Sequence, residues 1–207
     1  MRRLLIIGAG GHGMVIADAA DQMEQWSSIV FLDDAYPNVT TKAEWQVIGD
    51  SGRLQDFSSN SDAAIAAIGN CAARLDKLVA IRRAGIRLAT VIHPTAVVSR
   101  FATIGDGTAL LANTTVNASA NIGLGCIVNT GAVVEHDCRL ADGVHVASGA
   151  TLAGSVEVGE RSWIGAGATV CEQISIGADV VVGAGAVVIR NVPDRATVVG
   201  VPARAIR

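Results

Sequence analysis

The C-terminal half of the chain repeats an aliphatic residue at every sixth position. From Ile92 to Val188, each residue of this frame is Ile, Val or Leu, and mostly small residues stand four positions after each one. A period of six fits neither an α-helix nor a long strand, but it fits short strands separated by bends. One such repeat cannot bury its own aliphatic side chain, so successive coils must stack. The pattern predicts a stack of short strands over residues 92–188.

The first 90 residues follow a different pattern. Apolar segments predict strands at residues 3–7, 29–32 and 63–68, and helices are predicted at about 14–23 and 72–84. Gly85 fits the glycine that commonly follows the end of a helix. Strands that alternate with helices predict a small parallel α/β unit. We expect residues 35–60 to be irregular, with one short strand near Val47 and Ile48.

Composition and charge narrow the class of protein. Hydrophobic residues make up 50% of the chain and charged residues 17%, which excludes a disordered chain. The net charge is −3 and no basic cluster occurs, so nucleic acid is not an expected partner. The apolar run after Arg3 ends at Gly8, too short for a signal peptide, and no stretch reaches the roughly 20 apolar residues of a membrane span. Four cysteines without a CxxC pair are typical of reduced thiols, so we expect a cytoplasmic protein.

A glycine-rich turn marks the start of the α/β unit. Gly8-Ala9-Gly10-Gly11-His12-Gly13 follows a predicted strand and precedes a predicted helix, and Asp33 ends the next strand. Such glycines let backbone N–H groups and the N-terminus of a helix approach a phosphate. The motif therefore predicts binding of a nucleotide phosphate. NAD is the weaker interpretation, because residues 1–90 leave no room for a second mononucleotide-binding half.

The clearest candidate for a general base is His136. It lies two residues after Val134, at a bend of the repeat where a side chain points outward, and Glu135 and Asp137 flank it. Neighbouring carboxylates favour the charged form of an imidazole and can fix the orientation of its ring, which suits a general base. A solvated polar corner is an equally good interpretation of these residues on the sequence alone.

Several motifs resemble known families. The repeat of residues 92–188 resembles the hexapeptide-repeat acyltransferases, whose left-handed parallel β-helix has three hexapeptides per coil. The whole chain is similar to the bacterial sugar acetyltransferases that include bacillosamine and perosamine N-acetyltransferases and sialic acid O-acetyltransferases. The matching stretches are the glycine-rich turn, Phe31-Leu32-Asp33-Asp34, Ile68-Gly69-Asn70, Asn129-Thr130-Gly131-Ala132-Val133-Val134-Glu135-His136-Asp137 and Gly200-Val201-Pro202-Ala203.

The resemblance implies an α/β + β fold with two domains. Residues 1–90 are a small Rossmann-like domain that holds the nucleotide of a nucleotide-linked amino sugar, and residues 91–207 are a left-handed β-helix with a C-terminal tail. Carried over residue by residue, the nucleotide-sugar site comprises Gly11, His12, Gly13, Asp33, Asp34 and Asn70. His136 is the general base, oriented by Asp137 or Glu135. Acetyl-CoA is contacted by His145, Gly154, Ala166, Ala184, Val201 and Pro202.

The three hexapeptides of each implied coil make these assignments testable. Gly154 follows His136 by one full coil, as Ala184 follows Ala166, so each pair should stack on adjacent coils. His145 takes an outward-facing strand position half a coil after His136, so the two rings of one chain should face different directions. We expect them to meet between neighbouring subunits, at active sites in the interfaces of a homotrimer.

Three alternatives bear on function. The scaffold suits acetyl-CoA-dependent N-acetylation of a nucleotide-linked deoxyamino sugar, and it equally suits O-acetylation of a sialic acid or another sugar hydroxyl. A nucleotide-binding module, NAD-dependent or without catalytic activity, is the third interpretation. Catalytic zinc normally needs three protein ligands, and only His136 and His145 are suitably placed, so no metal is predicted.

Overall fold

A computed structural model describes residues 2–206, and its N-terminal part is a five-stranded sheet with two long helices. The sheet order is β3-β4-β2-β1-β5, and every pairing is parallel except that between β3 and β4. The strands are β1 (Arg3–Ile7), β2 (Ser28–Leu32), β3 (Thr41–Lys42), β4 (Trp45–Gly49) and β5 (Ala63–Ala66). The helices are α1 (Gly11–Gln22) and α2 (Cys71–Arg83).

The α/β unit confirms most of the local predictions. The interior strand β1 is apolar on both faces because helices cover the sheet, and four of its five residues are buried. Helix α2 ends before Gly85, whose φ of +76° is the left-handed conformation expected there. The strand predicted near Val47 and Ile48 is confirmed as β4, but residues 35–60 are less irregular than predicted. That segment contains β3, β4 and a 3₁₀ helix (Ser51–Asn60). A 3₁₀ helix has three residues per turn, so its apolar residues do not follow the α-helical period by which helices were predicted.

From Val91 onward the chain forms a parallel β-helix with three faces, each a sheet of two-residue strands. The docking face comprises Val91–Ile92, Ala109–Leu110, Ile127–Val128, His145–Val146, Trp163–Ile164 and Val181–Val182, extended by Thr197–Val199 and Arg204–Ala205. The β-branched face comprises Val97–Val98, Thr115–Val116, Val133–Val134, Thr151–Leu152, Thr169–Val170 and Val187–Val188. The polar face comprises Thr103–Ile104, Asn121–Ile122, Arg139–Leu140, Glu157–Val158 and Ser175–Ile176.

The period-six frame is the inner column of this β-helix. Each strand pairs with the strand one coil later, as Val116 does with Val134, so the aliphatic residues of the frame stack on one another. From Leu110 to Val188 every member of the frame is buried. Burial of each such side chain contributes about 1.5–3 kcal/mol, which stabilises a domain with few aromatic residues. The predicted stack of short strands is confirmed.

The two parts of the chain pack together through α2 and the docking face. Gly107, Gly125 and Gly143 lie one coil apart in corners of the β-helix, with φ values of +72°, +63° and +69°. A methyl group on any of them would meet Leu75 or Leu78 of α2. This column of glycines is therefore the groove into which α2 packs. Within residues 2–206, no helix is both long enough and apolar enough to cross a membrane.

Candidate active site

His136 lies at an exposed corner between the β-branched face and the polar face, which we call the His136 corner. Its Nδ1 is 2.8 Å from the Asp137 carboxylate, and the imidazole is 61% exposed. A carboxylate only accepts hydrogen bonds, so this contact requires the proton on Nδ1 and leaves Nε2 with a free lone pair. Asp137 has a φ of +61°, the left-handed conformation that Ser119 and Ser155 also adopt at this corner on the preceding and following coils. The pair is arranged as a base and its orienting acid.

The second flanking carboxylate is held elsewhere. Glu135 Oε2 accepts a 2.8 Å hydrogen bond from Asn117 Nδ2, which lies on the preceding coil. In this arrangement Glu135 braces two adjacent coils, while Asp137 contacts the His136 ring. The sequence left open which carboxylate orients His136, and the geometry favours Asp137.

Gly154 lies beside the His136 ring, as its place one coil later predicted. Ser155 N donates to the His136 carbonyl at 2.9 Å, which joins the two coils at this corner. A Cβ on Gly154 would lie 2.6 Å from His136 Cε1 and 2.7 Å from Nε2. Only glycine therefore leaves room for the imidazole in this position. The Gly154 N–H donates no backbone hydrogen bond within residues 2–206, so it is free to contact a ligand beside Nε2.

Ala166, Ala184 and Val201 lie along a different corner, which we call the alanine edge. Gly185 N donates to the Ala166 carbonyl at 2.8 Å, so these coils stack as predicted. Val187 N donates to the Gly200 carbonyl, which brings exposed Val201 and Pro202 over the last coil. The alanine edge lies between the docking face and the β-branched face. The width of the β-branched face thus separates it from the His136 corner of the same chain.

His145 points outward from the β-helix, as predicted, but it packs against the N-terminal domain of its own chain, whereas the sequence analysis expected it to meet His136 of a neighbouring subunit. Only 4% of His145 is exposed, because the N-terminal domain of the same chain covers this face. Its ring centroid lies 4.1 Å from that of Trp163 and 6.3 Å from that of His12. The repeat identifies the direction of the side chain but contains no information on how a separate domain packs against it.

Burial makes His12 and His145 neutral at physiological pH. Burial and the nearby Arg74 guanidinium lower the pKa of His12 to about 4. Burial, Arg74 and His12 lower the pKa of His145 to about 3. Within the described part of the chain, His12 Nε2 and His145 Nδ1 are buried without a hydrogen-bond partner. Both rings therefore have an open polar position at the boundary between the domains.

The residues of the glycine-rich turn divide into structural and accessible positions. Gly13 is buried against the Gly8 carbonyl, where a side chain would collide, so it permits packing of α1 on β1. Asp33 accepts hydrogen bonds from the backbone N–H groups of Ala9, at 2.6 Å, and Ala35, at 2.9 Å. Gly10 and Gly11 face open space at the start of α1. Gly11 is thus accessible to a ligand as predicted, whereas Gly13 shapes the turn.

Among the cavities that border this domain, two contain predicted nucleotide-sugar residues in their walls. The smaller, of about 220 Å³, is lined by Ile7, Gly8, Leu32, Asp33, Asp34, Ser51, Ile68 and Lys77. The larger, of about 430 Å³, lies between the domains and is lined by Gly69, Asn70, Cys71, Ala72, Arg161, Trp163, Asp179 and Val181. Asp33 and Asp34 thus line one cavity and Asn70 the other. Asn70 also caps α2, since its Oδ1 accepts from Ala73 N.

Sequence analysis missed the polar partners in the smaller cavity. Lys77 Nζ donates to Ser51 Oγ at 2.7 Å, and Asp34 accepts from the hydroxyl and N–H of Ser51. The Ser51 hydroxyl, and then its backbone N–H, hold the pKa of Asp34 below its usual range. Arg74 and Lys77 lie one turn apart on the predicted second helix. This spacing could have indicated a charged helix face at the domain boundary. Residues 2–206 contain no group of three or more His, Cys, Asp or Glu placed to hold a metal ion.

Comparison with known proteins identifies both parts of the chain. Residues 3–79 match the family described as PglD N-terminal domain, and residues 155–190 match the bacterial transferase hexapeptide, six repeats. The acetyltransferase domain of PglB from Neisseria gonorrhoeae FA1090, solved in complex with acetyl coenzyme A, is 40% identical with a TM-score of 0.96, over 99% of each chain. A mutant perosamine N-acetyltransferase from Caulobacter crescentus, in complex with CoA and GDP-perosamine, is 36% identical with a TM-score of 0.94, over 100% of this chain and 98% of that one.

A curated sequence relative agrees with these structures. UDP-N-acetylbacillosamine N-acetyltransferase from Bacillus subtilis (strain 168) is 39% identical over 113 residues, which is 54% of this chain and 52% of that protein. The match thus spans about half the length of this relative, whereas the solved structures match throughout. The predicted two-part fold and the resemblance to sugar acetyltransferases are confirmed. The chain belongs to the bacterial hexapeptide-repeat sugar acetyltransferases that have a PglD-type N-terminal domain.

Proposed function

We propose that the protein transfers the acetyl group of acetyl-CoA to the amino group of a nucleotide-linked amino sugar. The observation that carries this proposal is the exposed His136, with Nδ1 on Asp137 and Nε2 free beside Gly154. The solved relatives hold acetyl-CoA, or CoA and GDP-perosamine, and the curated relative is named as an N-acetyltransferase. Acetyl-CoA and nucleotide sugars are cytoplasmic metabolites, so the reaction takes place in the cytoplasm.

His136 acts as a general base and then as a general acid. The amine nitrogen attacks the thioester carbonyl while Nε2 removes a proton from it, and Asp137 stabilises the imidazolium that forms. The tetrahedral intermediate then expels the CoA sulfur, which takes the proton from Nε2 and leaves as the thiol. The N–H of Gly154, which donates no backbone hydrogen bond within residues 2–206, donates to the developing oxyanion in this proposal. The products are the acetamido sugar and CoA.

The two domains divide the binding of the acceptor. The open N-terminus of α1 at Gly10 and Gly11 suits the diphosphate, because unpaired backbone N–H groups and the helix dipole favour an anion. The smaller cavity offers the base and ribose an acceptor at Asp34 and a donor at Lys77. Asn70 lines the larger cavity, and His12 lies beside His145 at the boundary between the domains. The sugar would extend through this region toward the β-helix.

A homotrimer completes the site. Of the three faces, the N-terminal domain covers much of one, and charged or amide side chains such as Arg139, Glu157 and Asn121 occupy the polar face. The β-branched face instead presents a flat column of Val and Thr side chains, namely Val97, Thr115, Val133, Thr151, Thr169 and Val187. We propose that this face packs in the trimer, which would bring the His136 corner of one subunit to the alanine edge of the next.

The decisive experiment measures thiol release from acetyl-CoA with a panel of UDP- and GDP-linked 4-amino sugars, followed by mass spectrometry of the product. We expect turnover with at least one amino sugar and an amide in the product. His136→Ala should lower kcat by about 10²–10⁴-fold, the usual contribution of a positioned base. Turnover of a free sialic acid with no turnover of any amino sugar would instead establish O-acetylation. Undiminished turnover by His136→Ala would remove His136 as the base.

A further inference from the structure

Arg74 is a buried cation at the boundary between the domains, and it contacts four carbonyl groups. Only 1% of Arg74 is exposed. Nη1 donates to the carbonyls of Ile68, at 2.8 Å, and Gly69, at 3.0 Å, which belong to the loop between β5 and α2. Nε donates to Gly125 O at 2.7 Å and Nη2 to Gly143 O at 2.6 Å, on two adjacent coils of the β-helix. One guanidinium thus joins the loop of one domain to the coils of the other.

The loop that Arg74 holds borders both cavities of the proposed acceptor site. Ile68 lines the smaller cavity, and Gly69 and Asn70 line the larger one. We propose that Arg74 is a positioning residue for the nucleotide-sugar acceptor, because it fixes loop residues 68–70 against the β-helix coils at Gly125 and Gly143. The identity of the ligand in this inference rests on the proposed function. The effect of Arg74 on the loop does not depend on that function.

The charge of Arg74 has no carboxylate to neutralise it within the described residues. Its partners are uncharged carbonyl oxygens, so a net positive charge remains in a region of low dielectric. His12 on α1 faces it across the boundary, and His145 faces it from the β-helix beside Trp163. Burial, and then this guanidinium, lower the pKa of both imidazoles, so both rings are neutral beside the loop. A fixed positive charge at this place also favours a ligand that carries a diphosphate.

A lysine could not reproduce this arrangement. The ammonium group has three donors at one point, whereas the guanidinium directs donors along both sides of a plane. Arg74→Lys therefore keeps the charge but cannot reach the loop and both coils together. Arg74→Met removes charge and donors alike. The matched control is Arg82 on the same helix, which reaches Asp106 of the β-helix at 3.5 Å through an exposed ion pair.

The test combines ligand-free and kinetic measurements on Arg74→Lys, Arg74→Met, Arg82→Lys and Arg82→Met. The N–H of Ala73 donates to Asn70 Oδ1 of the loop, so we expect amide exchange at Ala73 to accelerate in both Arg74 variants and in neither Arg82 variant. NMR titration should show the pKa values of His12 and His145 rising in Arg74→Met and staying low in Arg74→Lys. We expect KM for the nucleotide sugar to rise about tenfold or more in the Arg74 variants, with KM for acetyl-CoA within about twofold of wild type.

The outcomes separate the two proposals. Unchanged amide exchange at Ala73 in Arg74→Lys overturns the inference, whatever the activity. Equal increases in both KM values overturn it as well, because general destabilisation would affect both substrates. If the wild-type protein acetylates no amino sugar, the proposed function fails, while the exchange and titration data still decide whether Arg74 holds the loop. Should Arg74→Met not fold, Arg74→Lys alone supplies the exchange and kinetic comparison.

Discussion

The proposed base, His136, contacts Asp137 through Nδ1 at a distance of 2.8 Å. Asp137→Asn places an amide there, which can accept from or donate to Nδ1 and so permits the tautomer that has its proton on Nε2. We expect kcat to fall about 10- to 100-fold, a part of the 10²–10⁴ that a positioned base contributes. Steady-state kinetics at saturating acetyl-CoA would measure this loss.

Glu135→Gln is the matched control for this substitution. Glu135 contacts Asn117 on the neighbouring coil, so removal of its charge should leave the orientation of His136 unchanged. We expect the kcat of Glu135→Gln to stay within about threefold of the wild-type value. A larger loss in Glu135→Gln than in Asp137→Asn would assign the orienting role to Glu135.

A substitution at Gly154 tests the same site through a steric clash with His136. Gly154→Ala places a methyl group 2.6 Å from His136 Cε1, so the ring must leave its position beside Gly154. We expect kcat to fall about tenfold or more, with little change in melting temperature, because the corner is partly exposed. In the His136→Ala background, Gly154→Ala should cause no further loss, as the double-mutant cycle would show. A loss of the same size in both backgrounds would mean that Gly154 acts without the imidazole.

At the scale of elements, the glycine column under α2 determines how the domains pack. Gly125 and Gly131 share a left-handed φ, of +63° and +68°, but a Cβ on Gly125 would collide with Leu78 whereas a Cβ on Gly131 meets nothing within 4 Å. An alanine in this conformation costs about 1–2 kcal/mol. We expect Gly131→Ala to lose about that much stability and Gly125→Ala about 1–3 kcal/mol more, from overpacking.

Urea unfolding of the two variants would measure this difference. Because backbone strain is common to both substitutions, only the contact with Leu78 distinguishes them. Equal losses in the two variants would show that α2 moves aside without cost and that the glycine column is not required for docking.

The elements also show how far sequence could predict this structure. The period-six frame identified every strand from Val91–Ile92 to Val187–Val188 because the partner of each residue lies at a fixed distance of one coil along the chain. The burial of His145 and the role of Arg74 were not predictable in this way, since both depend on contacts between domains with no fixed spacing. The regular spacing of Gly107, Gly125 and Gly143, one per coil, was the one periodic sign of that contact. Glycine occurs at bends for several reasons, so this spacing alone did not predict a contact between the domains.

For the whole molecule, the two buried histidines link stability to pH. The pKa of His12 is lowered to about 4 and that of His145 to about 3, from 6.5. Below pH 6.5 the unfolded chain gains protons at these positions while the folded chain stays neutral, so the free energy of unfolding decreases as pH falls. Above pH 6.5 these two histidines should cause no change in the free energy of unfolding. From pH 6.5 toward pH 4 the free energy of unfolding should decrease, by at most about 1.4 kcal/mol per pH unit for each histidine.

Urea unfolding at about pH 7, 6 and 5 would measure this slope. His145→Gln removes one of the two groups and should reduce the slope in this range, even if the variant is less stable throughout. A slope that His145→Gln leaves unchanged would mean that the ring is accessible to protons in the folded protein.

Each active site of the trimer is proposed to combine the His136 corner of one subunit with the alanine edge of the next. Mixing two inactive variants tests this arrangement. His136→Ala removes the base, and Ala184→Trp fills the exposed alanine edge with an indole, so each homotrimer should be inactive. In a mixture of the two chains, a site is intact where an Ala184→Trp subunit supplies His136 and a His136→Ala subunit supplies the edge. Random mixing produces this arrangement at about one site in four, so co-expression should restore about a quarter of wild-type activity. If the base and the edge served one site within the same chain, every site would contain one of the substitutions, and the mixture would be as inactive as its components.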